Sequence, residues 1–437
     1  MNGAMGGSAT PDMPPNRFAI SEFRLALDLE NDRMRLQQVR TAQFVFANAT
    51  VVRQDQRLDG DVAFNVAVGQ GGPQRASDAT ARARRLQMLE HPLVLVQAAL
   101  EPGATASNLR DEHGEPHVDI TTAAGETVTL GVDPETGLPS HVSRREYDSG
   151  WGDVVIETVF ADYETIEGVA VPTRVTTTTD EWLTADITLT EVQVDVEVED
   201  LAAPVSVRNA PAPAPPPVNV TVDALGQGIW WLAGGSHHSV LFEFDDHLVL
   251  FEVPLNDART LAVIERAREI VPDKPLTHAI VSHHHLDHAG GFRAAVSEGL
   301  TIVTHRENEA FLRDIASRPH TIEQDALARN PREPEFLLID DELELSDDTN
   351  EVIIYKGEGN EHAGVLLFAW VPRDRLVVQG DFYSVGYLAQ PYGAAFLQNL
   401  AAHNLSPARH APIHGELQSH DEVLEVLATA PTEPPTE

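Results

Sequence analysis

Through the first half of the chain, apolar and polar residues alternate with the period of two expected of half-buried strands. The pattern predicts strands over Phe18–Glu30, Arg33–Asn48 and Asp61–Val68, with Asn31–Asp32 as a hairpin turn. A helical stretch follows from Ser77 to Leu100, where Ser77 or Asp78 serves as cap and Pro92 kinks or divides it. Strands return at His117–Thr121 and Thr127–Val132. Asp133–Pro139 reads as a turn, and three more strands are expected between His141 and Val198. Long antiparallel strands beside a helix predict an α+β domain with a curved antiparallel sheet over residues 18–205.

The run Pro211–Pro217 favours extended polyproline backbone and marks a linker over residues 206–219. Beyond it the pattern changes. Strands are expected at Ile229–Leu232, Val240–Phe244 and Leu248–Glu252, a helix at Asp257–Ile270 and a short apolar strand at Thr277–Val281. Helix and strand then alternate through Gly291–Glu298, Thr301–Thr304 and Glu307–Ile315, the pattern of a layered second domain over residues 220–437. Pro319–Phe336 is expected to be a loop or helical flap.

Composition narrows the function. The chain of 437 residues carries a formal net charge of −38, which opposes a nucleic-acid or anionic-membrane partner. Lys274 and Lys356 are its two lysines, so arginine carries nearly all the positive charge. There is no cysteine, which excludes disulfides, thiolate metal sites and cysteine nucleophiles; any metal must be held by His, Asp or Glu. No apolar run approaches the ~18 residues of a membrane span. Residues 1–17 read as disordered or as a cloning remnant, without an apolar signal segment. A periplasmic or secreted location, after removal of an export signal, is the expectation, with the cytoplasm as alternative.

Histidine is uneven. His91, His113, His117 and His141 precede the linker, and the other fifteen of nineteen follow it. The chemistry is therefore expected in the second half, where Ser282-His283-His284-His285-Leu286-Asp287-His288-Ala289-Gly290-Gly291 follows a buried strand and opens a helix. His283 and His285, two apart, can face one point while His284 turns away; Asp287 and His288 can serve a second. Four ligands within six residues would crowd one ion and suit two ions ~3.5–4 Å apart.

These residues resemble the metallo-β-lactamase-fold superfamily of hydrolases, whose His-x-His-x-Asp-His pattern is matched by His283, His285, Asp287 and His288. The similarity extends over about residues 220–425. His362 in Glu361-His362-Ala363-Gly364, Asp381 after the strand Leu376–Val378, and His414 before Gly415 follow in the family's order. The resemblance implies a C-terminal αββα sandwich. It implies His283, His285 and His362 on one metal, Asp287, His288 and His414 on the other, and Asp381 bridging. Two Zn2+ are expected, with Mn2+ or Fe as alternatives. A metal-bridging hydroxide would attack a small-molecule substrate, with Asp287 orienting it and carrying a proton.

Supporting roles are more open. Glu252 can accept a histidine N–H or be a charged strand end. His237 and His238 can touch substrate or be exposed turn residues. Tyr383 can donate to an oxyanion or pack in the core.

The expected substrate is an ester, lactone or amide. Absence of cysteine sets aside enzymes with Cys at the bridging position, and Ser384 stands where many of those have a substrate-binding Lys, so β-lactamase activity is an alternative. A mononuclear-iron persulfide dioxygenase is another, disfavoured by the full second ligand set. The first half resembles lipid- or lipoprotein-carrier domains in strand pattern and in its Asp133–Pro139 turn. That implies hydrophobic-ligand binding, while a dimerisation or scaffold role stands equal.

Overall fold

The computed structural model describes residues 10–13, 16–43, 51–66, 72–383 and 393–428. Expectations for residues 1–9, for 44–48 and 67–68 of the early strands, and for Ser384 lie outside them. The antiparallel, sheet-rich character expected of the first half is present, but its strands are shared between two sheets rather than one. A five-stranded sheet runs Phe18–Asp28, Arg33–Ala42, Val51–Asp59, Val62–Asn65 and Gln74–Arg75, all antiparallel. A seven-stranded meander runs from Thr105–Glu112 to Trp182–Thr188, with four strands rather than three after residue 138.

The helical stretch explains the division. Pro92 splits it into Asp78–Leu89 and Pro92–Leu100, and the Ser77 hydroxyl accepts from Thr80 N as the cap. Ala81 and Met88 bury themselves with Met34, Leu58 and Ala63 of the first sheet. Leu86, Leu89 and Leu95 pack on Ile120, Val128, Leu130, Val142 and Phe160 of the second. One helix pair thus satisfies two apolar sheet faces.

Val51–Asp59 escaped the alternation rule because both faces are buried near its C-terminal end, Leu58 towards the helix and a charged row on the other side. Asp55 and Arg57 are buried, and Asp55 holds Arg35 at 2.8 Å and Arg57 at 2.9 Å. Buried charges are stable when paired in this way. Residues 205–209, at the expected domain boundary, form a helical turn whose Val207 packs on Phe64 and Ala203; extended backbone begins after Ala210.

The second half folds as four layers. One sheet has seven strands, from Thr221–Gly226 to Phe336–Ile339, antiparallel at first and parallel from Leu248–Phe251 onward. The other has six, from Glu342–Ser346 to Gln418–Ser419. Between them lie Val240, Phe242, Phe251, Ile280, Ile354, Ala369, Val378 and Ala411. Helices Asp257–Ile270, Phe292–Ser297 and Glu309–Ser317 cover one outer face through Val263, Ile264, Phe292 and Leu312. Helices Gly393–Ala402 and His420–Ala428 cover the other through Phe396, Leu400, Val423 and Leu427. No helix among the described residues is long and apolar enough to cross a membrane.

His410 sits in the wall of this last layer, fully buried, 2.9 Å from His420 and edge-on to Phe396. Burial pushes its pKa down to about 3, and the neighbouring His420 adds to the effect. The folded protein therefore keeps His410 neutral, whereas the unfolded chain takes a proton near pH ~6.5. This contribution to stability is full above that pH and is lost as pH falls towards 3. Replacing His410→Phe is expected to flatten the stability–pH profile between pH ~6 and ~4 by about 1.4 kcal/mol per pH unit, the weight of one proton. Denaturant titrations at several pH values measure it; an unchanged slope refutes it.

Candidate metal centre

The site is assembled where strands of the two inner sheets end. Leu276–Ile280 leads into the loop bearing His283, His285, Asp287 and His288. In the other sheet, Leu376–Gln379 and Arg409–Pro412 are parallel neighbours with Gln379 opposite Pro412. Asp381 and His414 each lie two residues farther on, so register alone delivers both to one edge. His362 comes from the loop before Leu366–Val371; its N–H donates to Asn360 Oδ1 at 2.8 Å. Gly290 and Gly291 close the first loop because nothing larger fits: a Cβ on Gly291 would strike the Thr260 side chain, and one on Gly290 the Leu255 and Leu286 carbonyls.

Two groups of potential ligand atoms result, each with its atoms within 4.8 Å of one another: His283, His285, His362 and Asp381, and His237, Asp287, His288 and His414. Asp381 joins them. Its Oδ2 lies 2.8 Å from His362 Nε2 and 3.2 Å from His288 Nε2, and its Oδ1 lies 3.1 Å from His414 Nε2. Burial works to raise the Asp381 pKa, but the His288, His362 and His414 imidazoles outweigh it and hold the carboxyl well below its usual range. Burial opposes charge on His288 as well; Asp381 and Asp287 reverse that and hold it well above an ordinary histidine. His283 faces mainly burial and other imidazoles and stays neutral.

The hydrogen bonds leave the donor atoms a metal needs. Glu252 is fully buried, and its Oε2 accepts from Ser282 Oγ at 2.6 Å and from His288 Nδ1 at 3.0 Å; its Oε1 accepts from Ser282 N at 3.1 Å. With the Ser282 hydroxyl proton committed to Glu252, Ser282 Oγ accepts from His283 Nδ1 at 2.9 Å. His283 Nε2 then carries a lone pair, is buried, and has no hydrogen-bond partner among the described residues. His288 Nε2 and His414 Nε2 stand 3.0 Å apart, so two ring nitrogens converge on one point beside the Asp381 carboxylate. These donor sets fit divalent metal ions. Glu252 reaches this position with φ +80°, a strained backbone for a glutamate and of the kind found where function constrains geometry.

His237 was not among the expected ligands. It and His238 are buried rather than exposed turn residues. The reason is His238: it stacks edge-on against Trp231, and burial lowers its pKa to about 4. Neutral, its Nε2–H donates to Gly415 O at 2.8 Å while its Nδ1 accepts from Gly234 N at 3.2 Å. This ties the turn to the His414 loop and leaves His237 Nε2 3.3 Å from Asp287 Oδ2, its ring 3.9 Å from that of His414. The adjacent histidines before a strand were the sole sequence signal. His284 turns away from the ligand groups, as expected, with its ring edge-on to Phe311. Tyr383 is brought to neither group. It is buried among Phe382, Phe396 and Leu400, and burial raises its pKa far above the usual phenol value. Asp287 is the solvent-facing member of the constellation.

Residues 232–382 match the family model described as the metallo-beta-lactamase superfamily, a stretch that contains every site residue except His414. The C-terminal region has the metallo-beta-lactamase fold. Solved structures similar to it include a metallo-beta-lactamase from Pontibacter korlensis (13% identity, 48% of this chain and 98% of that chain, TM-score 0.38). Others are FIM-1 from Pseudomonas aeruginosa in its mono-zinc form (20%, 49% and 95%, 0.39) and the enzyme from Hirschia baltica (18%, 49% and 99%, 0.38). No curated protein matches the chain. The metallo-beta-lactamase fold with these His/Asp groups implies divalent metal ions.

The first half braces this metal loop. Its turn at Asp148–Gly152 is held by Asp148 Oδ1, which accepts from Gly150 N at 2.8 Å and Trp151 N at 2.9 Å. Trp151 inserts into the outer cluster, 5.7 Å from Phe311. Asp153 Oδ2 accepts from Thr321 N at 2.9 Å, and Asp153 Oδ1 from Ile322 N at 3.1 Å. Gly150 abuts Leu286, between His285 and Asp287: a Cβ there would lie 2.5 Å from Leu286 Cδ1.

Two outcomes follow from this geometry. Glu252→Gln is expected to weaken metal binding by about 10–100-fold, because His288 loses its orienting carboxylate; chelator competition measures it, and unchanged affinity refutes it. Gly150→Val is expected to lower turnover by up to about 10²-fold by displacing Leu286 and the ligands beside it. Full activity in a folded Gly150→Val protein would show that the brace does not matter.

Proposed function

We propose that this protein is a binuclear metal-dependent hydrolase of an ester, lactone or amide bond in a small molecule. The observation that carries the reading is the second group, His237, Asp287, His288 and His414, beside the first. A mononuclear site would need only His283, His285 and His362 with a carboxylate. The second group brings a further carboxylate and three imidazoles within reach of one point. Bound divalent cations would supply Lewis-acid polarisation of the scissile carbonyl and a nucleophilic hydroxide near neutral pH.

The chain's residues do the rest. Asp381 neutralises the charge of the ligand groups from between them and sets their spacing. His283 and His288 present Nε2 because Ser282 and Glu252 hold their Nδ1 protons. Asp287, half exposed and 3.3 Å from His237, is placed to orient a water molecule and to carry a proton to the leaving group. Proximity of its carboxylate to solvent gives that proton an exit.

Zinc-loaded protein is expected to turn over lactones, aryl esters or thioesters in steady-state assays, with β-lactams run alongside. Chelation is expected to abolish the activity, and Asp381→Asn to reduce it by about 10²-fold or more. Elemental analysis should find two ions per chain that are lost when these two ligand groups are substituted. One iron per chain with oxygen consumption on persulfides would replace this reading, and no turnover of any of these substrates would end it.

A further inference from the structure

The geometry points to a separate divalent-cation site in the first half, built on the seven-stranded sheet from Glu115, His117 and His141. Two of the four histidines ahead of the linker meet there. His117 lies opposite Gly131, and Gly131 opposite His141, in one row across three antiparallel strands. Neighbouring strands stand about 4.8 Å apart, so side chains on the outer two of three are normally separated by a residue between them. Here the middle residue has no side chain, and the two imidazoles lean over it to a centroid separation of 4.8 Å. Glu115, two residues before His117, projects from the same face of its strand.

The three side chains offer one ligand atom each within 4.8 Å of one another. Glu115 Oε1 lies 3.5 Å from His141 Nδ1, and Glu115 Oε2 4.0 Å from His117 Nε2. Both are long for hydrogen bonds. They approach the roughly 3.3 Å between ligand atoms that surround a tetrahedral cation at ~2.0–2.1 Å. Gly131 maintains the opening: a Cβ there would strike the His141 ring and come within 2.9 Å of Glu115 Oε1. Glu112 Oε2, 3.6 Å from His117 Nδ1, is placed to orient that ring from behind, as carboxylates do for metal-bound imidazoles. Ser140 Oγ contacts Glu115 Oε1 and lies 3.3 Å from His141 Nδ1. Two imidazoles, one carboxylate and a fourth position for water suit a zinc-type ion. Such an ion would link the strands Glu115–Thr121 and Pro139–Asp148 across the strand between them, the second of which leads into the turn that braces Leu286.

The test is zinc titration of the full chain against a chromophoric chelator, in a His283→Ala/Asp287→Ala/His288→Ala/Asp381→Ala background that removes two ligands from each C-terminal group. One saturable zinc is expected to persist there and to raise the melting temperature. His117→Gln or His141→Gln should abolish both effects, and Gly131→Ala, which keeps every ligand but fills the opening, should weaken binding at least tenfold. In the otherwise unaltered chain, His141→Gln should lower the zinc stoichiometry by one while hydrolysis persists. Absence of saturable zinc in the background protein, or binding indifferent to all three substitutions, overturns the site. Because the readout is zinc retained without the C-terminal groups, failure of the hydrolase reading would leave it unaffected.

Discussion

A buried carboxylate can remain ionised only if positive charge or strong donors surround it, and Asp381 is such a group. His288, His362 and His414 lie within 3.2 Å of its oxygens, and they arrive from three different loops. The need to satisfy this one side chain joins the two inner sheets at their strand ends. The same crowding of carboxylate and imidazole is the donor set that a divalent cation needs. The close pair His288 Nε2 and His414 Nε2 shares that carboxylate, at 3.2 Å and 3.1 Å from its two oxygens.

Around that centre the protein spends buried polar groups on orientation. Glu252, Ser282 and His238 lie among fully or nearly fully buried residues, and each fixes the direction of a neighbour. The neutral state of His238 illustrates how burial selects a tautomer: one nitrogen donates to Gly415 O, the other accepts from Gly234 N. The first half adds a mechanical contribution. Through Trp151, Asp153 and Gly150 it presses on the outer helical layer and on Leu286. These contacts limit how far the loop bearing His285 and Asp287 can move.

The acidity of the chain acts on another scale. A net charge of −38 sets long-range attraction for cations and repulsion for anions. Local pairing, such as Asp55 with Arg35 and Arg57, keeps that charge from disrupting the folded sheets.

Much of this was legible in the primary structure. Periodicity placed the helix Asp257–Ile270 and the strands flanking the His-rich loop, and the order of His283, His285, Asp287, His288, His362, Asp381 and His414 marked the residues the fold gathers. Such signals survive because ligand types are rare and their local spacing is dictated by one strand and one turn. Other features had no local signature. The split of the early strands into two sheets depends on which face of a helix pair each one covers. The strand Val51–Asp59 is stabilised by partners from another strand, and His237 enters the site only because His238 bonds a carbonyl 177 residues away. Tyr383 follows Asp381 closely, yet the chain turns its ring into the apolar layer. Sequence spacing determines what neighbours along the chain can do together. Which face is buried, and which distant groups meet, is decided by packing of the whole, since that is where each polar atom finds its partner.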